Sequence, residues 1–231
     1  MLANGDAKFW APVPEVLAWV SSLVDQGAKV LEIGPGTVPF SRAGHFVDWK
    51  PGANITRCDL NREILPFSDK QFDFIYCRHV VEDLYNPFLV CGEMSRVGKA
   101  GYIETPSPLA EFCRGIDGGS PKWRGYQHHR YFVWNDNGVL SFVDKYPIVE
   151  YIEFGEEIAF ENALRGDPLL WNTYFLWQGS VKWTHLQHEV DFQIYEGYPS
   201  VLAKAMNLGI ENARSFRDVM YRALASRAIS T

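Results

Sequence analysis

The sequence predicts an α/β domain built on a mostly parallel sheet, with an added C-terminal α+β lobe. Three observations predict it. Short apolar runs alternate with helical or loop segments between Lys29 and Thr105. Most of those runs end in polar or acidic residues. After Pro108 the pattern gives way to glycine, aromatic residues and hairpin signals.

The elements follow in order. Val13, Val16, Leu17, Val20, Leu23 and Val24 repeat at helical spacing, Pro14 suits a first helical turn, and Gly27 ends the segment. Lys29 to Ile33 reads as a buried strand, Phe46 to Asp48 as a second and Ile55 to Leu60 as a third. Phe72 to Cys77 is a fourth and Gly101 to Thr105 a fifth. Val80 to Val97 carries an apolar stripe at Val80, Leu84, Phe88 and Val97 and predicts a helix, broken or kinked at Pro87. Asn135 to Gly138 between apolar runs predicts a hairpin. Tyr174 to Trp177 and Val181 to Thr184 flank Gln178-Gly179-Ser180 and predict a second. Ile210, Ala213, Phe216, Met220 and Leu224 give the last helix, Ile210 to Ala228, one apolar face.

Strands alternating with covering segments imply a sheet that binds ligands at the carboxyl ends of its strands. Those ends carry Glu32 and Gly34, Asp48, Asp59, Cys77 to His79, and Glu104 to Ser107. Hydrophobic residues make up 47% of the 231 residues and aromatics 15%, which describes a packed protein. The net charge of −6 disfavours a nucleic-acid backbone as partner. No apolar run reaches the roughly 20 residues that span a bilayer, so no membrane partner is expected. Met1 to Trp10 has no basic region followed by an apolar core, so the expected location is the cytoplasm. Cys58, Cys77, Cys91 and Cys113 are scattered and have no CxxC spacing, as reduced thiols would be.

Val30-Leu31-Glu32-Ile33-Gly34-Pro35-Gly36-Thr37 is the most informative stretch. Glycine lets a strand turn sharply and lets backbone approach a ligand. A carboxylate beside that turn repels phosphate and suits a cationic ligand that carries hydroxyls and an amino group. The Gly-x-Gly-x-x-Gly fingerprint of dinucleotide sites lacks its third glycine here.

The order VLEIGPGT, FVDW, CDLNREILPFSDKQFDFIYCRHVVEDLYNP and EMSRVGKAGYIETPSP resembles the class I S-adenosylmethionine-dependent methyltransferases, and among them the type 11-like group. The resemblance covers about Ala28 to Pro108. It implies a Rossmann-like core, S-adenosylmethionine as cofactor and a small-molecule acceptor, a saccharide or another metabolite. It places Gly34 and Gly36 under the methionine and ribose, Glu32 near the amino end, and Asp48 against the ribose hydroxyls. Asp59 would accept from the adenine amino group, with the Leu60 backbone at the ring edge. Cys77 and Arg78 would line the pocket. The chain departs from the family pattern at Val38, where a glycine is usual. It departs again at Lys50 to Asn54, which leaves no room for the helix that normally precedes the third strand.

A hydroxyl acceptor needs a base to take its proton. His79, which follows the fourth strand, is the first candidate; His128 and His129, in the cluster Trp123 to Tyr131, are the others, beside Glu82, Asp83 and Glu104. That cluster is denser in polar groups than a plain core needs and reads as a substrate wall, the alternative being packing of the second lobe. No metal is expected, because His185 and His188 in a strand would point to opposite faces. The sequence divides into a cofactor-binding core at 1–110 and a substrate-recognition lobe at 111–231. Alternatives are a methyltransferase-like binding protein without turnover and an NAD-dependent oxidoreductase. Oligomeric state is left open.

Overall fold

The computed structural model describes residues 12–187 and 196–228. Strands β1 (Val30–Ile33), β2 (His45–Asp48), β3 (Ile55–Arg57), β4 (Phe72–Arg78) and β5 (Gly98–Pro106) pair in parallel. A later strand, β8 (Asn172–Gln178), closes one edge antiparallel to β5, and the order is β3-β2-β1-β4-β5-β8. This is the mostly parallel sheet that the apolar runs predict.

Both faces of the sheet are covered, which is why apolar side chains of its central strands point to both sides. In β4, Phe74 and Tyr76 join a cluster with Val16, Trp19 and Val20 of α1 (Pro14–Ser22) and Met206 and Met220 of the last helix. Ile75 and Cys77 face the other way and pack with Val90, Cys91 and Met94 of α2 (Pro87–Val97).

The core is abbreviated. Neither the β1–β2 connection at 34–44 nor the β2–β3 connection at 49–54 contains a helix. Parallel neighbours are usually joined by a dozen or more residues, most often helical. Phe40, in the first of these loops, supplies cover instead by stacking on Tyr76 at 4.2 Å.

Helix α2 starts at Pro87, and Val80 to Asn86 is not helical, in contrast to the helix expected from Val80. Proline has no N–H to give and fits a first helical position. Asn86 caps that end by accepting from Leu89 N at 3.4 Å. Val80 and Leu84 are buried as loop residues, so their helical spacing is coincidental. This loop carries Glu82 and Asp83 to the site.

Beside this sheet stand α3 (Pro108–Phe112), the hairpin β6 (Tyr131–Asp136) and β7 (Val139–Asp144), which belongs to a second, three-stranded sheet, and α4 (Glu157–Gly166). The hairpin turns through Asn137 and Gly138 at φ 52° and 85°, the positive values that tight hairpin turns require. The second expected hairpin does not form. Tyr174 to Trp177 belongs to β8 of the main sheet, whereas β9 (Trp183–His185) pairs in parallel with β7. Gly101 explains the divergence. Its missing side chain leaves room for Trp177, which would lie 2.7 Å from a Cβ there, so β8 is drawn onto β5.

The last helix, α5, spans Gly197–Ala228 and begins well before the Ile210 that periodicity marks. Tyr198, Leu202, Ala205 and Met206 extend its buried face N-terminally. The stripe is hidden in sequence by Gly209, whose Cβ would meet only Pro108 at 3.5 Å. Phe216 binds the helix to the sheet, stacked on Tyr174 at 4.3 Å and edge-on to Trp19 at 5.0 Å. Residues after 111 therefore share the core of the first 110. All four cysteines are free and buried. No helix among the described residues is long and apolar enough to cross a membrane.

Candidate active site

A cavity of about 560 Å³ opens at the carboxyl ends of β1, β2 and β4. Its wall includes Gly34, Gly36, Asp48, Asp59, Leu60 and His79, all singled out from sequence. It also includes Asp83, named from sequence among the candidate bases, and Trp49, Arg57, Asn61, Val80 and Leu84, which were given no place in the site.

The glycine turn is required by geometry. Gly34 has φ +68°, and a Cβ there would lie 2.4 Å from Val80 Cγ2. A Cβ on Gly36 would meet no protein atom within 4 Å, so its bare backbone faces open space. Asp48 accepts from Lys50 N at 2.9 Å and Asp59 from Asn61 N at 3.0 Å. Each carboxylate is thus oriented by its own turn and retains oxygen lone pairs for a ligand. Asn61 Oδ1 accepts from Tyr85 N at 2.7 Å and ties this wall to the 80–86 loop.

Glu32 does not line the cavity. It is buried, and its carboxylate accepts from Phe40 N at 2.8 Å, bracing the loop that follows the glycines. Burial pushes its pKa up to about 7, against the lowering effects of the Phe40 N–H and the Arg78 charge. An acid whose pKa is raised on folding loses stability as pH climbs from its unfolded value of 4.5 toward 7. Glu32→Gln should therefore raise the melting temperature at pH 8 by roughly 2–4 °C per kcal/mol relieved, and change little at pH 5. Thermal melts of both proteins at the two pH values check this; equal shifts at both would show that Glu32 carries no burial cost.

Cys77 and Arg78 also stand away from the cavity lining. Cys77 is fully buried on the α2 face of β4, and burial holds its thiol well above the ordinary range. Arg78 donates from Nε to Glu104 at 2.9 Å. Strand alternation accounts for both placements: the residue that clears the strand end is the next one, His79.

His79 has φ +51°, a conformation a histidine rarely adopts, and it is held there by its N–H donating to Glu104 O at 2.8 Å. Its Nε2 is buried and makes no hydrogen bond to a described residue, while Nδ1 lies 3.4 Å from Glu82. The Glu82 side chain is 1% exposed, and neither of its oxygens has a hydrogen-bond partner among the described residues. Buried polar atoms left unpaired in this way are uncommon and mark places where something else binds.

His128 and His129 lie outside the cavity lining but adjoin it. Arg130 N donates to Glu82 O at 2.8 Å and its Nε to Asp83 O at 3.2 Å, locking the start of β6 against the 80–86 loop. His128 Nε2 then lies 3.6 Å and His129 Nε2 3.7 Å from Asp83 Oδ1. Behind them, buried Glu111 accepts from His129 Nδ1 and from Lys145 Nζ, each at 2.5 Å. Elsewhere in the Trp123–Tyr131 cluster Arg124 and Tyr126 are buried, whereas Gln127 is exposed. Arg124 is buried, stacks on Phe112 at 4.0 Å and donates to the carbonyls of Phe112, Val149 and Ile152. His185 bonds Asp144 at 2.7 Å; His188 lies outside the described residues.

The sequence reading missed Asp83 as part of a histidine cluster. The signal was present in the spacing of Pro87, which stops the helix short and frees the loop.

Among protein families, the model described as a methyltransferase domain matches residues 19–103. No match is found among curated proteins. Three solved structures illustrate the likeness. A SAM-dependent methyltransferase from Thermotoga maritima is 19% identical over 40% of this chain and 51% of its own, with a TM-score of 0.35. A second, from Aquifex aeolicus, is 18% identical over 41% and 66%, with a TM-score of 0.31. A third, from Mesorhizobium loti, is 15% identical over 53% and 61%, with a TM-score of 0.33. The chain thus spans between half and two-thirds of the length of these structures.

Proposed function

We propose that this chain, whose residues 19–103 match a methyltransferase-domain model, is a class I S-adenosylmethionine-dependent methyltransferase that transfers a methyl group to a small-molecule acceptor such as a saccharide. The observation that carries the reading is the cavity at the strand ends, with a bare glycine turn on one side and the Asp48 and Asp59 carboxylates on another.

The donor set fits the cofactor. Bound there, S-adenosylmethionine supplies a methyl group activated by positive sulfur. Asp48 can accept from a pair of ribose hydroxyls, and Asp59 from an adenine amino group. The open space at Gly36 admits the ligand close to backbone. The carboxylates Asp48, Asp59 and Asp83 outnumber the one guanidinium, Arg57, which favours a cationic ligand over a phosphate. His79 Nε2, buried beside the cavity and unbonded, is the group assigned to take the acceptor's proton. Positioning of the acceptor supplies much of the remaining acceleration.

The test is calorimetric. S-adenosylhomocysteine should bind and NAD should not. Asp59→Ala should weaken that binding by about 1–3 kcal/mol, the scale of a buried donor left unpaired. Unchanged affinity would make Asp59 a turn residue only, and binding of NAD alone would overturn the assignment. Following isotopically labelled methyl into a metabolite extract identifies the acceptor.

A further inference from the structure

We propose that Asp83, His128 and His129 form a binding site for a divalent transition-metal ion of the zinc class at the edge of the cofactor cavity. Three observations carry it, and none depends on the family match.

The first is ligand geometry. One carboxylate oxygen and two imidazole nitrogens, one from each residue, lie within 4.8 Å of one another. The two nitrogen-to-oxygen separations are 3.6 Å and 3.7 Å. Bonds of 2.0–2.2 Å in a tetrahedral site put ligand atoms about 3.4 Å apart, so small side-chain movements close the site around an ion. Two imidazoles and one carboxylate leave the fourth position open, the pattern of reactive rather than structural zinc sites.

The second is support behind the ligands. His129 Nδ1 bonds Glu111 at 2.5 Å, which leaves Nε2 turned toward Asp83. A carboxylate on the far nitrogen of a metal-binding histidine fixes the ring and raises its basicity. Lys145 fixes Glu111 in turn, at 2.5 Å. Arg130 fixes the loop carbonyls of Glu82 and Asp83, so both halves of the site are held by the same short segment.

The third is buried oxygen without a hydrogen bond. Asp83 Oδ1 is buried without a hydrogen bond, and so are both oxygens of neighbouring Glu82, whose side chain is 1% exposed. Buried carboxylate oxygens without a hydrogen bond, one of them beside two imidazole nitrogens, suit a cation.

The consequence for substrate class rests on the methyl-transfer reading. Asp83 also lines the cavity, so an ion on it would lie beside the acceptor. An open zinc position takes an oxygen donor and lowers the pKa of a bound hydroxyl. The acceptor class this selects is a hydroxyl compound, with neighbouring hydroxyls able to occupy the ion together.

The experiment uses the full chain without an affinity tag, stripped with EDTA and titrated with Co²⁺. One equivalent should bind and give the visible absorption of a four-coordinate site with nitrogen and oxygen ligands. The buried cysteines offer no competing surface ligand. His128→Ala removes a half-exposed ligand and should weaken Co²⁺ binding by more than about tenfold, since even second-layer changes cost 10–100-fold. The same variant should keep its affinity for S-adenosylhomocysteine. His129→Gln provides a second ligand deletion and should have the same effect on Co²⁺. Absence of saturable Co²⁺ binding, or binding indifferent to both substitutions, overturns the site. Failure of S-adenosylhomocysteine to bind while Co²⁺ binds normally would remove the methyl-transfer reading and leave the metal site standing.

Discussion

His79→Ala is expected to lower the turnover of methyl transfer by about 10²–10⁴-fold, the usual contribution of a positioned proton acceptor. Cofactor affinity should change far less. The asymmetry follows from position. Nε2 is a buried atom without a bond, so its removal breaks no hydrogen bond within the fold. The backbone is the one part under strain: alanine at φ +51° remains in a region that side-chain-bearing residues disfavour, so the variant gains no relief. His79→Gln preserves shape without a comparable basicity and should be nearly as slow. Steady-state rates beside calorimetric affinities decide the matter; parallel loss of both would assign His79 to packing.

Glu111→Ala is expected to destabilise the fold by about 3–5 kcal/mol, because it strands buried positive partners. Glu111 is buried and bonded to both His129 and Lys145. Burial alone would raise its pKa, but Lys145 and His129 outweigh that and hold it at about 2. The stability it contributes is fully present above its unfolded value of 4.5 and is lost as pH falls toward 2. His129 titrates in the opposite sense. Burial works against its charge, but Glu111, Glu82 and Asp83 raise its pKa above 6.5. Its contribution is present below 6.5 and fades as pH rises through the folded value. The network should therefore stabilise most between about pH 4.5 and 6.5, and chemical denaturation of both proteins across that range should show the largest difference there. A flat difference would mean the charges are not paired in solution.

The parallel core was legible because a strand covered on both faces carries apolar residues on both, as β1 and β4 do around Glu32 and Asp73. The cavity wall was legible at Gly34, Gly36, Asp48, Asp59, Leu60 and His79 because each stands at or just beyond a strand tip. Glu32, Cys77 and Arg78 stand inside strands, where alternation turns side chains into the core or across to a neighbour, and a motif in one dimension does not separate the two. The 174–184 region misled for a different reason. Two β-rich runs around Gln178-Gly179-Ser180 look local, yet each finds a better partner far away in sequence, Gly101 for Trp177 and Leu140 for Trp183. Asp83 was legible as a candidate base, but its place beside the two histidines was hidden by a false helix, since Val80 and Leu84 happen to sit four residues apart.

Pro87 bears on how this scaffold can diversify. Because it forbids the helix from growing backward, the seven positions at 80–86 are freed from the repeating backbone bonds that make helical residues hard to exchange. They touch the cavity wall through Asn61, the histidine pair through Arg130 and the chamber through Asp83, while Val80, Val81 and Leu84 pack against the sheet. New acceptor preferences are best sought at Asp83 and Tyr85, with those three apolar anchors and the strands left untouched.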